Sequence, residues 1–255
     1  MALIPYLGGK SRLAKTIISK MPEHTCYVEV FAGGAAVFFK KPPSKSEIIN
    51  DMDKDLITLY RVVKNHQVEL HRQFELMLVS RSEFERLRDT NPETLTDIQR
   101  AARYLYLQRT CFGAHTTGRT FATVTTGRNP QLNLFTLQET LHEAWLRLAH
   151  AQIECMDFRQ LIPRYDREHT LFYLDPPYWK MPYYVHNLEE QDFVDLSVLL
   201  TGIKGKFLMS INDTPEVRDI FGHFNIEEVQ LKYSCSRETS VRNDMHTELL
   251  INNFR

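Results

Sequence analysis

The sequence predicts an α/β fold in which a mainly parallel sheet is covered by helices on both faces. Short apolar segments typical of buried strands alternate with amphipathic helical segments along most of the 255 residues. This alternation favours parallel strands joined by crossover helices. It stops between residues 66 and 135, where the pattern is helical and then rich in glycine and threonine. We therefore expect one α/β domain, formed by residues 1–65 and 136–255, carrying a mostly helical insertion with a hairpin at 66–135.

The composition is ordinary for a soluble globular protein. Hydrophobic residues make up 43% of the chain, charged residues 25%, and the formal net charge is −1, which argues against a generally cationic nucleic-acid binder but leaves room for a local basic face. No apolar stretch is long enough to span a membrane, and the first residues do not resemble a signal peptide. The four cysteines are scattered without metal-ligand spacing. We expect a cytoplasmic, metal-free protein that is a monomer.

Two glycine turns stand out in the first part of the chain. Tyr6-Leu7-Gly8-Gly9-Lys10 precedes a helical pattern, so the backbone there can approach a ligand closely and Lys10 can meet an anionic group. A plain turn before an amphipathic helix explains this segment equally well. Tyr27–Phe31 is a predicted strand followed by Ala32-Gly33-Gly34 and a helical pattern, the opening of a nucleotide-binding βαβ unit.

The second predicted strand, residues 46–50, ends at Asp51, about twenty residues after the first strand. An acid at that place suits hydrogen bonds to ribose hydroxyls, whereas Asp53 suits the N-cap of the predicted helix at 54–65. From the residues alone, a ligand role and a structural role for Asp51 both remain open.

The insertion contains a stretch without acids. Between Ile98 and Gln138 there is no aspartate or glutamate, where the chain average would place roughly five. The same stretch carries five arginines, namely Arg100, Arg103, Arg109, Arg119 and Arg128. Arginine with hydroxyl and aromatic side chains and no acids indicates a phosphate-facing surface. A chance fluctuation of charge on a solvated insertion is the alternative.

The remaining elements alternate regularly. Thr136-Leu137-Gln138-Glu139 has the form of a capping box that opens a helix through His150, and Asp157 follows the next predicted strand at its carboxyl end. Further strands are predicted at 151–155, 171–174, 206–211, 224–233 and 247–254, with helices from 192 to 203 and from about Thr214-Pro215 onward.

The strand at 171–174 ends on Asp175-Pro176-Pro177-Tyr178. Two consecutive prolines cannot continue a strand ladder, so the chain leaves the sheet at the edge where α/β proteins bind ligands. Asp175 and the Pro176 carbonyl can each accept an N–H, and Tyr178 can stack on a flat ring. This cluster suits recognition of an exocyclic amino group, although an ordinary turn with a solvated tyrosine has the same sequence.

Over essentially its full length the chain resembles the Dam-like group of S-adenosylmethionine-dependent N6-adenine DNA methyltransferases. The resemblance rests on four blocks in the group's order: Tyr6-Leu7-Gly8-Gly9-Lys10; Glu29-Val30-Phe31-Ala32-Gly33-Gly34; Ile49-Asn50-Asp51 with Asp55-Leu56-Ile57; and Asp175-Pro176-Pro177-Tyr178. It implies a Rossmann-like methyltransferase sheet with an inserted DNA-recognition domain. It also implies an enzyme that methylates adenine in a short, specific sequence of double-stranded DNA.

The resemblance also implies roles for individual residues. Asp51 is expected to hold the cofactor ribose, Asp157 and Phe158 its adenine, and Tyr6 and Lys10 to lie beside its methionine moiety. The full set expected at the cofactor comprises Tyr6, Gly9, Lys10, Glu29, Phe31, Ala32, Gly33, Gly34, Asp51, Asp157, Phe158 and Asp175. The set expected at the target base is Asp175, Pro176, Pro177 and Tyr178.

For DNA, we expect Arg100, Arg103 and Arg109 to meet phosphates from one helix, and Arg119 and Arg128 to flank a hairpin that reads bases. The target base would leave the duplex before transfer. An N4-cytosine methyltransferase, an RNA or protein-glutamine methyltransferase, and an inactive DNA-binding module remain alternatives.

Two positions depart from the family pattern. The second glycine of the family's Phe-x-Gly-x-Gly turn is Ala35 here, so we expect a negative φ at this residue and the conformational freedom to come from Gly34. Members that read GATC carry Arg-Tyr-Asn and Pro-Phe-Gly patterns where this chain has Ala114-His115-Thr116 and Thr125-Thr126-Gly127. The resemblance therefore does not extend to the recognition sequence.

Overall fold

The structure, a computed structural model, describes residues 3–123, 132–181, 183–232 and 245–254. Its centre is a seven-stranded sheet in the order β3-β2-β1-β4-β5-β7-β6, in which β7 alone runs antiparallel to both neighbours. The strands are β1 (Cys26–Glu29), β2 (Ser46–Asn50), β3 (Gln152–Glu154), β4 (Thr170–Leu174), β5 (Lys206–Asn212), β6 (Asn225–Lys232) and β7 (Met245–Asn252). The predicted α/β class and mainly parallel sheet are confirmed.

Helices cover both faces of the sheet, as predicted. They are α1 (Ala14–Ser19), α2 (Lys54–Asn65), α3 (Gln67–Arg72), α4 (Arg81–Asp89), α5 (Asp97–Thr110), α6 (Leu134–Leu148), α7 (Phe158–Tyr165), α8 (Glu190–Thr201) and α9 (Pro215–Phe221). No helix in the described ranges is long and apolar enough to cross a bilayer.

Side chains of the central strands point alternately into two cores. Leu171 and Tyr173 of β4 lie in the core formed with α2, α5 and α6, while Phe172 and Leu174 lie in the core formed with α7, α8 and α9. All five residues of β4 are buried. The strand that carries Asp175 is therefore covered on both faces, and only its carboxyl end opens to the outside.

Local capping explains where several helices begin. Helix α2 spans the residues that the sequence predicted, and the Asp53 carboxylate accepts from the backbone N–H of Asp55 and Leu56 at its N-cap. Helix α6 was predicted, but its start at Thr136 was wrong. This helix begins at Leu134, because Asn133 caps it by accepting from Phe135 N–H, and Thr136 lies inside the first turn.

The insertion shares its core with the sheet domain. Helix α5 packs against α2, and its buried residues Tyr104 and Leu105 belong to the same cluster as Tyr27 of β1. After α5 the chain makes an isolated antiparallel bridge between Cys111 and Phe121, the beginning of the predicted hairpin. Arg128 and the Thr125-Thr126-Gly127 segment lie outside the described residues.

Candidate active site

An open cavity lies where β1, β2 and β4 end. This is the edge at which open α/β sheets bind ligands. All twelve residues that the sequence assigned to a cofactor line it, namely Tyr6, Gly9, Lys10, Glu29, Phe31, Ala32, Gly33, Gly34, Asp51, Asp157, Phe158 and Asp175. The structure thus brings together residues that are up to about 170 positions apart in the chain.

The glycine turn after β1 is shaped by a close aromatic contact. A Cβ atom at Gly33 would lie 2.8 Å from Tyr6 Cε1, and one at Gly34 would lie 2.9 Å from Tyr6 Cβ. Gly33 also has a φ of +46°, which favours glycine. Both glycines are therefore needed for Tyr6 to pack against the turn.

Ala35 does not have the negative φ that the sequence predicted. Its φ is +48°, and Gly34 is not among the residues with positive φ. The Ala35 N–H donates to the Ala32 carbonyl at 2.6 Å, and its carbonyl accepts from Phe39 N–H at 3.0 Å. These bonds and complete burial of its methyl group hold an alanine in a conformation usually left to glycine.

Asp51 has both a structural contact and a place in the cavity wall. Its Oδ2 accepts from Gly33 N–H at 2.8 Å and its Oδ1 accepts from Asp53 N–H at 2.9 Å. Burial raises the pKa of Asp51 to about 6, while these two backbone donors act in the opposite direction. Asp51 therefore fixes the glycine turn. Its contact with a ribose stays a prediction.

Asn50 ties together three strand ends beside Asp51. Its Nδ2 donates to the carbonyls of Val30 at 2.9 Å and Met156 at 3.0 Å, and its Oδ1 accepts from Met156 N–H at 2.9 Å. Since Asn50 is only 2% exposed, these bonds also satisfy a buried amide.

Two further predicted cofactor residues have structural partners of their own. Asp157 caps α7 by accepting from Arg159 N–H at 2.8 Å. The Oε2 of Glu29 accepts from Tyr27 OH at 2.6 Å and from Phe38 N–H at 3.0 Å. Burial raises the pKa of Glu29 to about 8, so this carboxyl is suited to internal hydrogen bonds as much as to a ligand.

Asp175 is paired with Lys10 at the mouth of the site. Lys10 Nζ lies 2.5 Å from Asp175 Oδ1, and Ser210 Oγ donates to the same oxygen at 3.5 Å. Burial raises the pKa of Asp175 to about 6, against the opposing effect of Lys10. Burial also lowers the pKa of Lys10, but Asp175 and Glu248 more than offset this, so that pKa lies above its ordinary value. Lys10 is therefore a buried ammonium held between acids.

Tyr178 is held by a residue that the sequence did not predict. Its hydroxyl donates to Glu248 Oε2 at 2.8 Å, and Lys10 Nζ donates to the Tyr178 oxygen at 3.1 Å. Glu248 lies on β7, with Lys10 Nζ 3.3 Å from its Oε1. No local motif marks Glu248, because β7 reads as an ordinary strand.

The segment after Tyr178 was also missed. Tyr184, Val185, His186 and Leu188 line the cavity. The Tyr184 ring stacks on Tyr6 with 6.1 Å between centroids, and its hydroxyl donates to the Leu7 carbonyl at 3.1 Å. No periodic pattern of apolar residues marks this segment in the sequence.

Comparison with known proteins decides the family. A model of the D12 class N6 adenine-specific DNA methyltransferases matches residues 6–235. The chain belongs to this family. It is 28% identical to the type II methyltransferase M1.LlaDCHI of Lactococcus lactis subsp. cremoris, over 98% of this chain and 94% of that protein. It is 24% identical to the DNA adenine methylase of Salmonella typhi, over 94% of this chain and 91% of that protein.

Among solved structures, the SAM-dependent O-methyltransferase of Thermotoga maritima aligns with a TM-score of 0.39 and 11% identity, over 99% of this chain and 67% of that one. Within the part of the D12 chain that the structure describes, no group of three or more His, Cys, Asp or Glu side chains is placed to hold a metal ion.

In this D12 methyltransferase, Arg100 and Arg103 of helix α5 pair with other parts of the molecule. Arg100 Nε lies 2.5 Å from Asp55 Oδ1 on α2. Arg103 is 8% exposed and donates to the carbonyls of Leu87 at 2.6 Å and Arg88 at 3.1 Å. The two arginines share one helix face, as predicted, but that face meets α2 and α4. Asp55 and the α4 carbonyls are thus the partners of these two arginines in the structure, and their predicted contact with phosphates stays a prediction.

Arg109 and Arg119 support the N-terminal strap, residues 3–10. Arg109 Nη2 donates to the Leu3 carbonyl at 2.6 Å, and Arg119 Nη2 donates to Gln108 Oε1 at 3.2 Å. Gln108 is fully buried and its Nε2 donates to the Pro5 carbonyl at 3.0 Å and the Ala114 carbonyl at 2.8 Å. Helix α5 thus holds the strap that carries Tyr6 and Lys10.

Proposed function

We propose that this chain transfers a methyl group from S-adenosylmethionine to N6 of adenine in a short, specific sequence of double-stranded DNA. The observation that carries the proposal is the placement of Asp175 and Pro177, just after the carboxyl end of β4, on the wall of the cavity lined by Gly33 and Asp51. An exocyclic amino group offers two N–H donors, and the Asp175 carboxylate and the Pro176 carbonyl are the two acceptors.

The cavity residues fit the cofactor. Gly33 and Gly34 let Tyr6 pack against the turn that lines the cavity, and Asp51 places a carboxylate at the end of β2, where ribose hydroxyls are bound in related sheets. Asp51 would hold the ribose, Phe158 would pack on the adenine, and Tyr6 would flank the methionine moiety. When bound, S-adenosylmethionine supplies an electrophilic methyl group on its sulfonium.

The target amino group is hidden in a duplex, so the adenine must leave the stack and enter the site. Tyr178 stacks on the extruded base. Lys10 occupies Oδ1 of Asp175, which leaves the other carboxylate oxygen for an N6 proton. Asp175 and Pro176 then orient the N6 lone pair toward the methyl group, so positioning and electrostatics supply much of the rate gain. N6 gains the methyl group and loses one proton, which Asp175 is suited to accept.

We place the DNA-contacting surface at the tip of the insertion rather than along α5. Arg81 is exposed, its guanidinium lies 5.4 Å from the centre of the Phe121 ring, and its Nη2 donates to Thr123 Oγ1 at 3.1 Å. Arginine, an aromatic ring and a hydroxyl group at one exposed tip are the side chains that contact phosphates and bases. Arg119 remains a candidate for base reading from the same loop.

The test is direct. Tritiated S-adenosylmethionine is incubated with the protein and double-stranded DNA, single-stranded DNA, RNA or a protein acceptor, and labelled DNA is digested to nucleosides. We expect label in N6-methyladenine from double-stranded DNA. Label in N4-methylcytosine, or in RNA or protein alone, would contradict the proposal.

A further inference from the structure

Glu248 is a buried acid whose two partners come from distant segments. Its side chain is 3% exposed, and it lies on β7 opposite Asn212 of β5 and Val229 of β6. A glutamate is rarely buried to this degree unless it is paired. Its partners are Lys10 from the N-terminal strap and Tyr178 from the turn after β4. Glu248 therefore joins three parts of the chain at one point.

The contact with Tyr178 reaches the hydroxyl group, at 2.9 Å to Oε1 and 2.8 Å to Oε2. Stacking on a base uses only the ring face, and phenylalanine stacks as well as tyrosine does. A carboxylate that accepts from the hydroxyl group therefore also fixes the orientation of the ring. Lys10 Nζ, 4.7 Å from the ring centre, restricts the ring from another direction.

The contact with Lys10 bears on Asp175. Lys10 Nζ donates to Asp175 Oδ1, the Tyr178 oxygen and the Gly8 carbonyl, and it lies 3.3 Å from Glu248 Oε1. With two acids beside it, the ammonium is shared between them. If Glu248 lost its charge, Asp175 would remain as the acid partner, and Lys10 would be drawn further onto the carboxylate that the target amino group needs.

From this geometry we infer, on the basis of the function proposed above, that Glu248 is a positioning residue for methyl transfer. It fixes the Tyr178 ring and shares the charge of Lys10, so that the ammonium stays on Oδ1 and the other oxygen of Asp175 remains available to the N6 amino group. Glu248 is not among the residues that line the cavity. Its effect passes through Tyr178 and Lys10.

The experiment compares Glu248→Gln, Tyr178→Phe and the double variant with the wild-type protein, using N6-methyladenine formation per folded molecule. We expect Glu248→Gln to lower kcat by about 10²-fold, the scale of a misplaced reacting group, and to leave the affinity for S-adenosylmethionine unchanged. Tyr178→Phe should lower kcat less. The double variant should be no slower than Glu248→Gln, because one change weakens and the other removes the same contact.

Glu47→Gln is the matched control. Glu47 is 4% exposed on β2 and pairs with Lys41 at 2.6 Å and with Arg147, and it does not line the cavity. This variant should lose thermal stability but keep kcat per folded molecule. If Glu248→Gln does not fold, Glu248→Asp carries the test, because it keeps the charge but shortens the reach to the Tyr178 hydroxyl.

Wild-type kcat in Glu248→Gln, or strictly multiplicative losses in the double variant, would overturn the inference. Either result leaves the proposed function intact, because the wild-type protein in the same assay reports that function separately.

Discussion

Sequence patterns marked both the residues of the cavity and the arginines of helix α5. Only the cavity residues lie where the sequence predicted them. Cavity residues such as Gly33 and Asp51 directly follow strands, and the carboxyl ends of parallel strands meet at one edge. For the arginines, what matters is which neighbour the side chain meets, and Arg100 and Arg103 meet Asp55 and the α4 carbonyls. A segment without acids can be neutralised by acids that lie elsewhere in the chain.

The largest effect should come from Asp175→Ala. The loss of an acceptor for the target amino group should abolish methylation, while S-adenosylmethionine binding, measured by calorimetry, stays close to wild type. Asp213→Ala is the control, since Asp213 follows the neighbouring strand β5 and pairs with Arg218 at 2.6 Å instead. Methylation by Asp175→Ala at close to the wild-type rate would contradict the assignment of Asp175 to the target amino group.

Asp51→Ala should weaken S-adenosylmethionine binding. Each charge-assisted hydrogen bond to the ribose is worth roughly 1.5–3 kcal/mol, and the Gly33 turn also loses its acceptor. Calorimetry measures the change, and a thermal melt confirms that the variant is folded. An unchanged dissociation constant would leave Asp51 with its structural role alone.

Activity should fall in acid with a midpoint near the pKa of Asp175, which burial raises to about 6. Lys10 occupies Oδ1, so protonation of the other oxygen as pH decreases through this value turns the acceptor for the N6 amino group into a donor. Below the midpoint, kcat should drop about tenfold per pH unit. Saturating cofactor separates this effect from Asp51, whose pKa is also about 6. A kcat that stays flat down to pH 4, about two units below that midpoint, would contradict the role of Asp175.

Arg103→Ala should act on stability rather than on DNA binding. Its guanidinium satisfies two buried carbonyls and lies 3.5 Å from Asp55, so its loss should lower the free energy of unfolding by about 1–3 kcal/mol. Denaturant unfolding measures this change. If Arg103→Ala instead decreased the salt dependence of DNA binding and left stability unchanged, Arg103 would be assigned to a phosphate contact.

The smallest effect is expected for Arg81→Ala, the exposed counterpart. Stability should change by no more than about 0.5 kcal/mol. The slope of log affinity against log salt should decrease by about 1, as for the loss of one phosphate contact. An unchanged slope would place the DNA surface away from the tip formed by Phe121 and Thr123.

The sequence predicted what depends on neighbours in the chain. It located the strands, the N-cap at Asp53 and the Asp175 turn, because periodicity and turn chemistry are local. It missed Glu248, whose role arises only where β7 pairs beside β5. It also missed the positive φ of Ala35, because the bonds to Ala32 and Phe39 outweigh the intrinsic preference of an alanine. Long-range strand pairing places Glu248, whereas backbone bonds within four residues hold Ala35, and no side-chain pattern in the sequence shows either of them.

The support that α5 gives to the N-terminal strap limits how this enzyme can acquire a new recognition sequence by recombination. Gln108 bridges the Pro5 and Ala114 carbonyls, and Arg109 holds the Leu3 carbonyl. A foreign insertion without equivalent donors would remove these hydrogen bonds and loosen the strap that carries Lys10. Recognition can diverge most freely at the insertion tip, while α5 and the strap have to be inherited together.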